Sequence, residues 1–306
     1  MNETFPSPVR PLPVSAADPR PRDNELDLFG VTHVGRVRQE NQDHFLVCTV
    51  HPQVVLHATS LPDPEALLLR GERLATIFLV ADGVGGSAAG SMASRLATEA
   101  VTQYVASSLR SYHAAGSTSE GEFMDALRAG ALAAHAAVRA GAEARPEAQG
   151  MATTLSIGVV VYPWLYVVQV GDSRCYFYQD GALRQVTRDQ TVAQDLVDEG
   201  VLEADRAQKS PLSQMLSSAI GATEARPEIS RVDVSRRGCV ILLCTDGLTK
   251  HVSDAEIAAR LASMTSSEEA GRALLQMALD RGGSDNVTLV VARAHPAAGE
   301  DRVRGG

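Results

Sequence analysis

The sequence predicts an α+β protein whose sheets are antiparallel and whose helices pack outside them. Two observations carry this. Strand-like segments arrive in runs joined by short turns, and helical segments come in pairs between the runs, not singly after each strand as in a βαβ array. The runs at 76–81 and 239–245 are apolar without alternation, as in strands covered on both faces. No internal repeat is present.

Composition bounds the reading. At 306 residues the chain has length for one large domain or two small ones. Its formal net charge of −9 argues against nucleic acid as a partner, since that binding needs a positive surface. No apolar run reaches the ~18 residues of a membrane span. No charged-then-apolar leader opens the chain, and a cytoplasmic location is expected. Cys48, Cys175, Cys239 and Cys244 form no CxxC pair and read as buried thiols in a reducing compartment. Cys239 and Cys244, five apart in one apolar run, should face opposite ways on a strand. Neither lysine, Lys209 or Lys250, lies in a GxxxxGK[ST] loop, which argues against a P-loop nucleotidase.

In chain order, residues 1–25 hold six prolines without periodicity and read as a disordered tail. Strands follow at 28–33 and 44–50, with the polar loop 35–43 between them. A third is expected at 54–57, then an excursion over 60–73. The strand starting at Thr76 leads into a helix over 88–109. Ser119-Glu120-Gly121-Glu122 has the form of a capping box and opens an Ala-rich helix to about 142. Strands are expected at 153–161, 164–170, 175–178 and 182–187, the last two joined by the hairpin signal Gln179-Asp180-Gly181. Residues 188–225 are polar and helix-prone, an insert over the sheet. Strands return at 229–234 and 239–245. Ser253-Asp254-Ala255-Glu256 caps a helix to about 264, and a last helix covers 267–281. The final strand is 287–292, and the tail beyond 296 is expected to be loose.

The chain is organised around Thr76-Ile77-Phe78-Leu79-Val80-Ala81-Asp82-Gly83-Val84-Gly85-Gly86-Ser87: a strand, an acid, a glycine turn, then a helix. A dinucleotide fingerprint over Gly83-x-Gly85-x-x-Ala88 would need an acid on a following strand ~20 residues on, where this chain has more helix. A nucleophile elbow would need glycine where Ala89 stands. A tight turn with a solvated aspartate remains open. The rest of the chain bears on the choice. Leu79-Val80-Ala81-Asp82-Gly83 has a near twin in Leu243-Cys244-Thr245-Asp246-Gly247, and Asp43 and Asp285 each lie just before an apolar strand. Four carboxylates at core-strand ends would repel one another if they converged, and divalent cations would remove the repulsion. An all-oxygen set suits Mg²⁺ or Mn²⁺. Two such ions ~4 Å apart serve in-line displacement at phosphorus. Arg38, in the loop before Asp43, has the fork to hold phosphoryl oxygens, or is simply a surface arginine.

Six motifs then fall in order: Arg38-x-x-Asn41-Gln42-Asp43, Asp82-Gly83-Val84-Gly85-Gly86, Gly150-Met151-Ala152-Thr153-Thr154, Gly171-Asp172-Ser173-Arg174-x-Tyr176, Thr245-Asp246-Gly247-Leu248 and Asp285-Asn286-Val287-Thr288. Over about residues 27–293 the chain resembles the metal-dependent protein phosphatases, the protein phosphatase 2C family, in its bacterial form. The reading is a single α+β phosphatase domain over 26–296, a four-layer αββα sandwich with a flap at 188–225. The resemblance implies hydrolysis of phosphoserine and phosphothreonine by a metal-bridged hydroxide, with no phosphoenzyme. Its partners would be phosphorylated proteins, including a Ser/Thr kinase or its substrates. A phosphoprotein-binding module on the same fold, without turnover, is the alternative.

The resemblance also implies roles. Asp82 would bridge two ions, Mn²⁺ or Mg²⁺. The Gly83 carbonyl would bind the first and Asp246 and Asp285 the second. Asp43 would act through water, and Arg38 would grip the phosphate. A third ion would use Asp246 and Glu147, where aspartate is usual. Gln42 replaces a common glutamate, Ala152 a glycine, and Val84 a histidine that some members use near the leaving group, so no general acid is named. His44 reads as structural. Asp172 and Arg174 are expected to brace the site as an ion pair.

Overall fold

The structure is a computed structural model, described here for residues 19–53, 71–85, 87–115, 120–207 and 209–295. It is an α+β sandwich of four layers. The strands are β1 (Leu26–His33), β2 (His44–Val50), β3 (Ala75–Ala81), β4 (Gly83–Val84), β5 (Ala152–Thr153), β6 (Leu155–Val161), β7 (Trp164–Val170), β8 (Arg174–Gln179), β9 (Ala182–Gln185), β10 (Glu228–Asp233), β11 (Val240–Cys244) and β12 (Val287–Ala294). One sheet has the order β1-β12-β11-β8-β9 and the other β10-β7-β6-β3-β2. Every pairing is antiparallel. Helices α1 (Ser87–Ala115) and α2 (Glu120–Glu143) cover one outer face, and α6 (Asp254–Ala262) and α7 (Ser267–Asp280) the other.

The unbroken apolar runs explain the layering. On β3, Ile77, Leu79 and Ala81 face α1 and α2, while Phe78 and Val80 face the opposite sheet. On β11, Leu242 and Cys244 face α6 and α7, while Ile241 and Leu243 face inward. Period-two alternation therefore fills two cores from one strand. Cys239 lies in the intersheet core and Cys244 in the helix-side core, on opposite faces as expected. All four cysteines are unpaired. At the β8–β9 turn Asp180 and Gly181 have φ of 52° and 82°, both positive as the expected tight hairpin requires.

Several local features differ from the sequence reading. The glycine turn after Asp82 forms the two-residue strand β4, paired with β5. A one-turn helix, α5 (Asp246–Thr249), follows β11 directly. The insert carries α3 (Val192–Asp198), α4 (Ala204–Ala207) and a 3₁₀ turn. The end of the expected tail is held down: Arg73 donates to Asp23 (2.5 Å) and to the Pro21 carbonyl (2.7 Å), and Arg237 pairs with Glu25 (3.0 Å). Residues 23–25 form a 3₁₀ turn, so 19–25 belong to the folded body. The Ser253–Glu256 capping box forms. The strand expected at 54–57, most of the 60–73 excursion, the Ser119 cap and both extreme tails lie outside the described residues. Among the described residues no helix is long and apolar enough to cross a membrane.

Candidate active site

The register of the ladders brings the acids together. His44 pairs with Ala81 at the end of the β2–β3 ladder, so Asp43 and Asp82 are the next facing pair. Cys244 pairs with Leu289 on β12, so Asp246 and Asp285 leave the β11–β12 ladder at one end. Cys244 also pairs with Arg174 on β8, and continuing that register by two sets Asp172 opposite Asp246. One sheet thus delivers Asp43 and Asp82, and the other Asp172, Asp246 and Asp285. The charges acting on each identify its neighbours. Asp82 is raised well above the usual carboxylate range by burial, then by Asp43, Asp246, Asp172 and Asp285. Burial, with Asp246 and Asp285 adding to it, pushes Asp43 up to about 7 against the hydrogen bonds of Thr288 and Thr245. Asp172 is also pushed up to about 7, by burial and then by Asp246 and Asp189. Asp246 is raised by burial, against the pull of Lys250.

Close backbone approach makes this mouth possible and explains the repeated Asp-Gly. A Cβ on Gly83 would come within 2.8 Å of the Gln42 carbonyl oxygen, and one on Gly247 would overlap the Asn286 carbonyl. Only glycine fits where strand tips press together so tightly. The Asp82 backbone is pinned from both sides: its N–H donates to Thr154 Oγ1 (3.0 Å), and its carbonyl accepts from Thr154 N (2.9 Å) and Thr153 Oγ1 (2.8 Å). Thr153 also exchanges two backbone hydrogen bonds of 2.9 Å with Ile220, docking the end of the 188–225 insert beside β5.

Arg38 reaches the mouth from the β1–β2 loop. Its Nε lies 2.8 Å from Asp285 Oδ1 and its Nη2 donates to Oδ2 at 3.1 Å. Asn286 holds that loop: its Nδ2 donates to the carbonyls of Val34 (2.8 Å) and Glu40 (2.9 Å), and its Oδ1 accepts from Gln42 N (2.9 Å). Asn286 stands in one of the sequence motifs, but its role is not legible there, because its partners lie about 250 residues away. Lys250 stands out in the sequence only as one of two lysines. Its Nζ stands 2.6 Å from Asp246 Oδ2 and 2.8 Å from Asp285 Oδ2. Burial disfavours its charge, but those carboxylates more than offset this, and its pKa is raised. The one signal for it was the four-residue step from Asp246.

Other expected members are placed differently. Arg174 does not pair with Asp172. Its Nε (2.9 Å) and Nη2 (2.7 Å) bind Asp189, and its Nη1 donates to Tyr176 Oη (2.9 Å). Gly171-Asp172-Ser173 is instead braced by Gln169, whose Nε2 donates to the Gly171 and Ser173 carbonyls, and by Gln190, whose Oε1 accepts from Gly171 N. Glu147 is exposed on the 3₁₀ turn Pro146–Ala148, and the charges acting most strongly on Asp246 are Lys250, Asp285 and Arg38. His44 bonds Ser94 Oγ through Nδ1 at 2.9 Å, a structural contact with α1.

The fit of this mouth to cations is tested by its unsatisfied atoms. Asp43 Oδ1 and Asp246 Oδ1 are buried with no hydrogen-bond partner. Such oxygens are costly unless a cation meets them. The donors are carboxylates and a carbonyl, the hard set that suits Mg²⁺ or Mn²⁺. Among the described residues no three Asp, Glu, His or Cys side chains stand grouped as a finished metal shell.

The family model for protein phosphatase 2C matches residues 61–282. The chain belongs to the protein phosphatase 2C family. It is 37% identical over 218 residues to the serine/threonine protein phosphatase PstP of Mycobacterium tuberculosis, covering 71% of this chain and 40% of that protein. It thus spans about two fifths of that relative's length. The serine/threonine phosphatase stp of Listeria monocytogenes is 31% identical over 227 residues, covering 74% of this chain and 87% of that protein. A crystal structure of the M. tuberculosis PstP superposes with a TM-score of 0.69 at 31% identity, covering 89% of this chain and 99% of that one. A second, of the PstP catalytic domain in complex with two manganese ions, gives 0.67 at 30% identity, with the same coverage. The family's αββα architecture is the one described above.

Proposed function

We propose that this chain is a metal-dependent protein serine/threonine phosphatase that uses two Mn²⁺ or Mg²⁺ ions. The observation that carries the proposal is the meeting of Asp43, Asp82, Asp246 and Asp285 at one mouth, with two buried carboxylate oxygens lacking any donor. The family relatives named as serine/threonine phosphatases, and the PstP domain with two manganese ions, support it.

In this proposal Asp82, the Gly83 carbonyl, Asp246 and Asp285 would hold the two ions, and Asp43 would act through water. When bound, the ions neutralise these acids and activate water for attack on phosphorus. The chain's own groups do the rest. Arg38 grips two phosphoryl oxygens with its planar fork, leaving Asp285 to do so. Asn286 fixes the loop that aims Arg38. Thr245, which donates to Asp43 Oδ2 at 2.9 Å, keeps that carboxylate's other oxygen turned to the mouth. The Val84 side chain, exposed beside Gly83, offers no proton to the leaving group. The exposed Glu147 offers a third ion none of this burial. Substrates are phosphorylated proteins, a Ser/Thr kinase or its targets among them, and the site of action is the cytoplasm.

The test is turnover of a phosphothreonine peptide. Hydrolysis should appear with Mn²⁺ or Mg²⁺ and vanish in Asp246→Asn. Full turnover in excess chelator would overturn the two-ion reading.

A further inference from the structure

Lys250 stands where a surface lysine would have no reason to be. It is one of two lysines in 306 residues. Its ammonium bridges two carboxylates from different elements, Asp246 on α5 at 2.6 Å and Asp285 before β12 at 2.8 Å. Those carboxyl side chains are only 22% and 18% exposed, unlike the partners of an ordinary i,i+4 surface pair. Surface pairs contribute little, but a bridge between two covered acids that repel each other is a different case.

We propose that Lys250 is a tethered counter-ion: it neutralises the Asp246–Asp285 pair in the metal-free protein, and a divalent cation binds there only by displacing it. The inference rests on the reading of Asp246 and Asp285 as metal ligands.

Three features fit displacement. The tether is short, since the Lys250 amide donates to the Asp246 carbonyl at 2.8 Å across one turn of α5. The lysine side chain is 31% exposed, so its flexible stem has solvent to retreat into. Arg38 also binds Asp285, most closely at Oδ1, so the acid keeps a partner while Lys250 moves. An ammonium is a point charge without coordination geometry, and a divalent ion brings one more unit of charge to the same oxygens. Binding is therefore an exchange of cations. The ion between Asp246 and Asp285 binds more weakly than the acids alone would allow, and the metal-free fold is steadier than five clustered acids would suggest.

The experiment is calorimetric titration of Mn²⁺ into the full chain after chelator treatment, comparing wild type with Lys250→Met and Lys250→Gln, with melting curves of each protein with and without Mn²⁺. Removing the ammonium should tighten the weaker Mn²⁺ dissociation constant by about tenfold or more, leave the tighter one unchanged, and lower the melting temperature of the metal-free protein alone. Variants that fold only with Mn²⁺ present would carry the same meaning. Constants within about twofold of wild type, or weaker binding, would overturn the role given to Lys250 while leaving the phosphatase reading intact. Absence of Mn²⁺ binding in wild type would instead remove the two-ion reading, and this inference with it.

Discussion

Thr245 donates its hydroxyl hydrogen to Asp43 Oδ2 at 2.9 Å, joining the end of β11 in one sheet to the start of β2 in the other. The same hydroxyl accepts from the Thr288 amide at 3.1 Å. Both residues are buried, Thr245 fully and Asp43 to 4% exposure. One oxygen thus ties three strands at the base of the acid cluster.

Thr245→Val keeps the shape and deletes both hydrogen bonds. It leaves a buried amide and a buried carboxylate each one partner short. Urea unfolding should show a loss of about 2–3 kcal/mol. A midpoint equal to wild type would mean the hydroxyl is not what holds Asp43.

Asn286→Ala frees the β1–β2 loop from three hydrogen bonds. Arg38 is then no longer aimed. The kcat/KM for a phosphopeptide should fall on the order of 10- to 100-fold. Inorganic phosphate should inhibit the variant less strongly than wild type.

Arg174→Lys exchanges a fork for a point. Its bonds to Asp189 and Tyr176, and the Tyr176 Oη bond to Asp254 (2.8 Å), form a chain from β8 to α6. Lysine cannot make both contacts, and about 2 kcal/mol should be lost. Asp172→Asn should leave this bridge intact, since Asp172 takes no part in it.

His135 predicts a pH dependence at the end of the insert. Its Nδ1 accepts from the Gly221 amide at 3.0 Å, which needs the neutral ring. Burial first, then Arg139, holds its pKa below the usual 6.5. A histidine whose folded pKa is depressed contributes fully above its unfolded value, and loses that contribution as pH falls through 6.5 and the folded value below it. The protection of the Gly221 amide against hydrogen exchange, taken relative to the intrinsic rate at each pH, should therefore fall as the solution is acidified below 6.5. His135→Phe should leave that amide weakly protected at every pH.

The sheets and most of the mouth were legible because their signals are local. An apolar run without alternation says both faces are covered, and an Asp-Gly at its end says where the strand leaves the core. The capping box at Ser253 and the hairpin at Asp180-Gly181 are local in the same sense. What was missed depends on register between distant segments. Arg174 binds Asp189 instead of Asp172 because it lies opposite Cys244, where Asp189, Tyr176 and, across to α6, Asp254 meet its guanidinium. Lys250 and Asn286 acquire meaning only when α5 and the Arg38 loop are laid against the head of β12. The β4–β5 ribbon has two residues a side, too few to show any period.

The acids at the mouth come from both layers, Asp43 and Asp82 from one, Asp246 and Asp285 from the other. Those layers meet through the apolar contacts of Phe78, Val80, Leu165, Leu243 and Val290, and the hydrogen bonds that lock them together, Thr245 to Asp43 among them, lie near the mouth. A small slide of one layer over the other would break no rung of either ladder, yet would stretch those few bonds and pull the acids out of alignment. Warming should therefore silence the proposed activity some degrees before the strands melt, and a cation held by acids from both layers would act as a rivet between the plates.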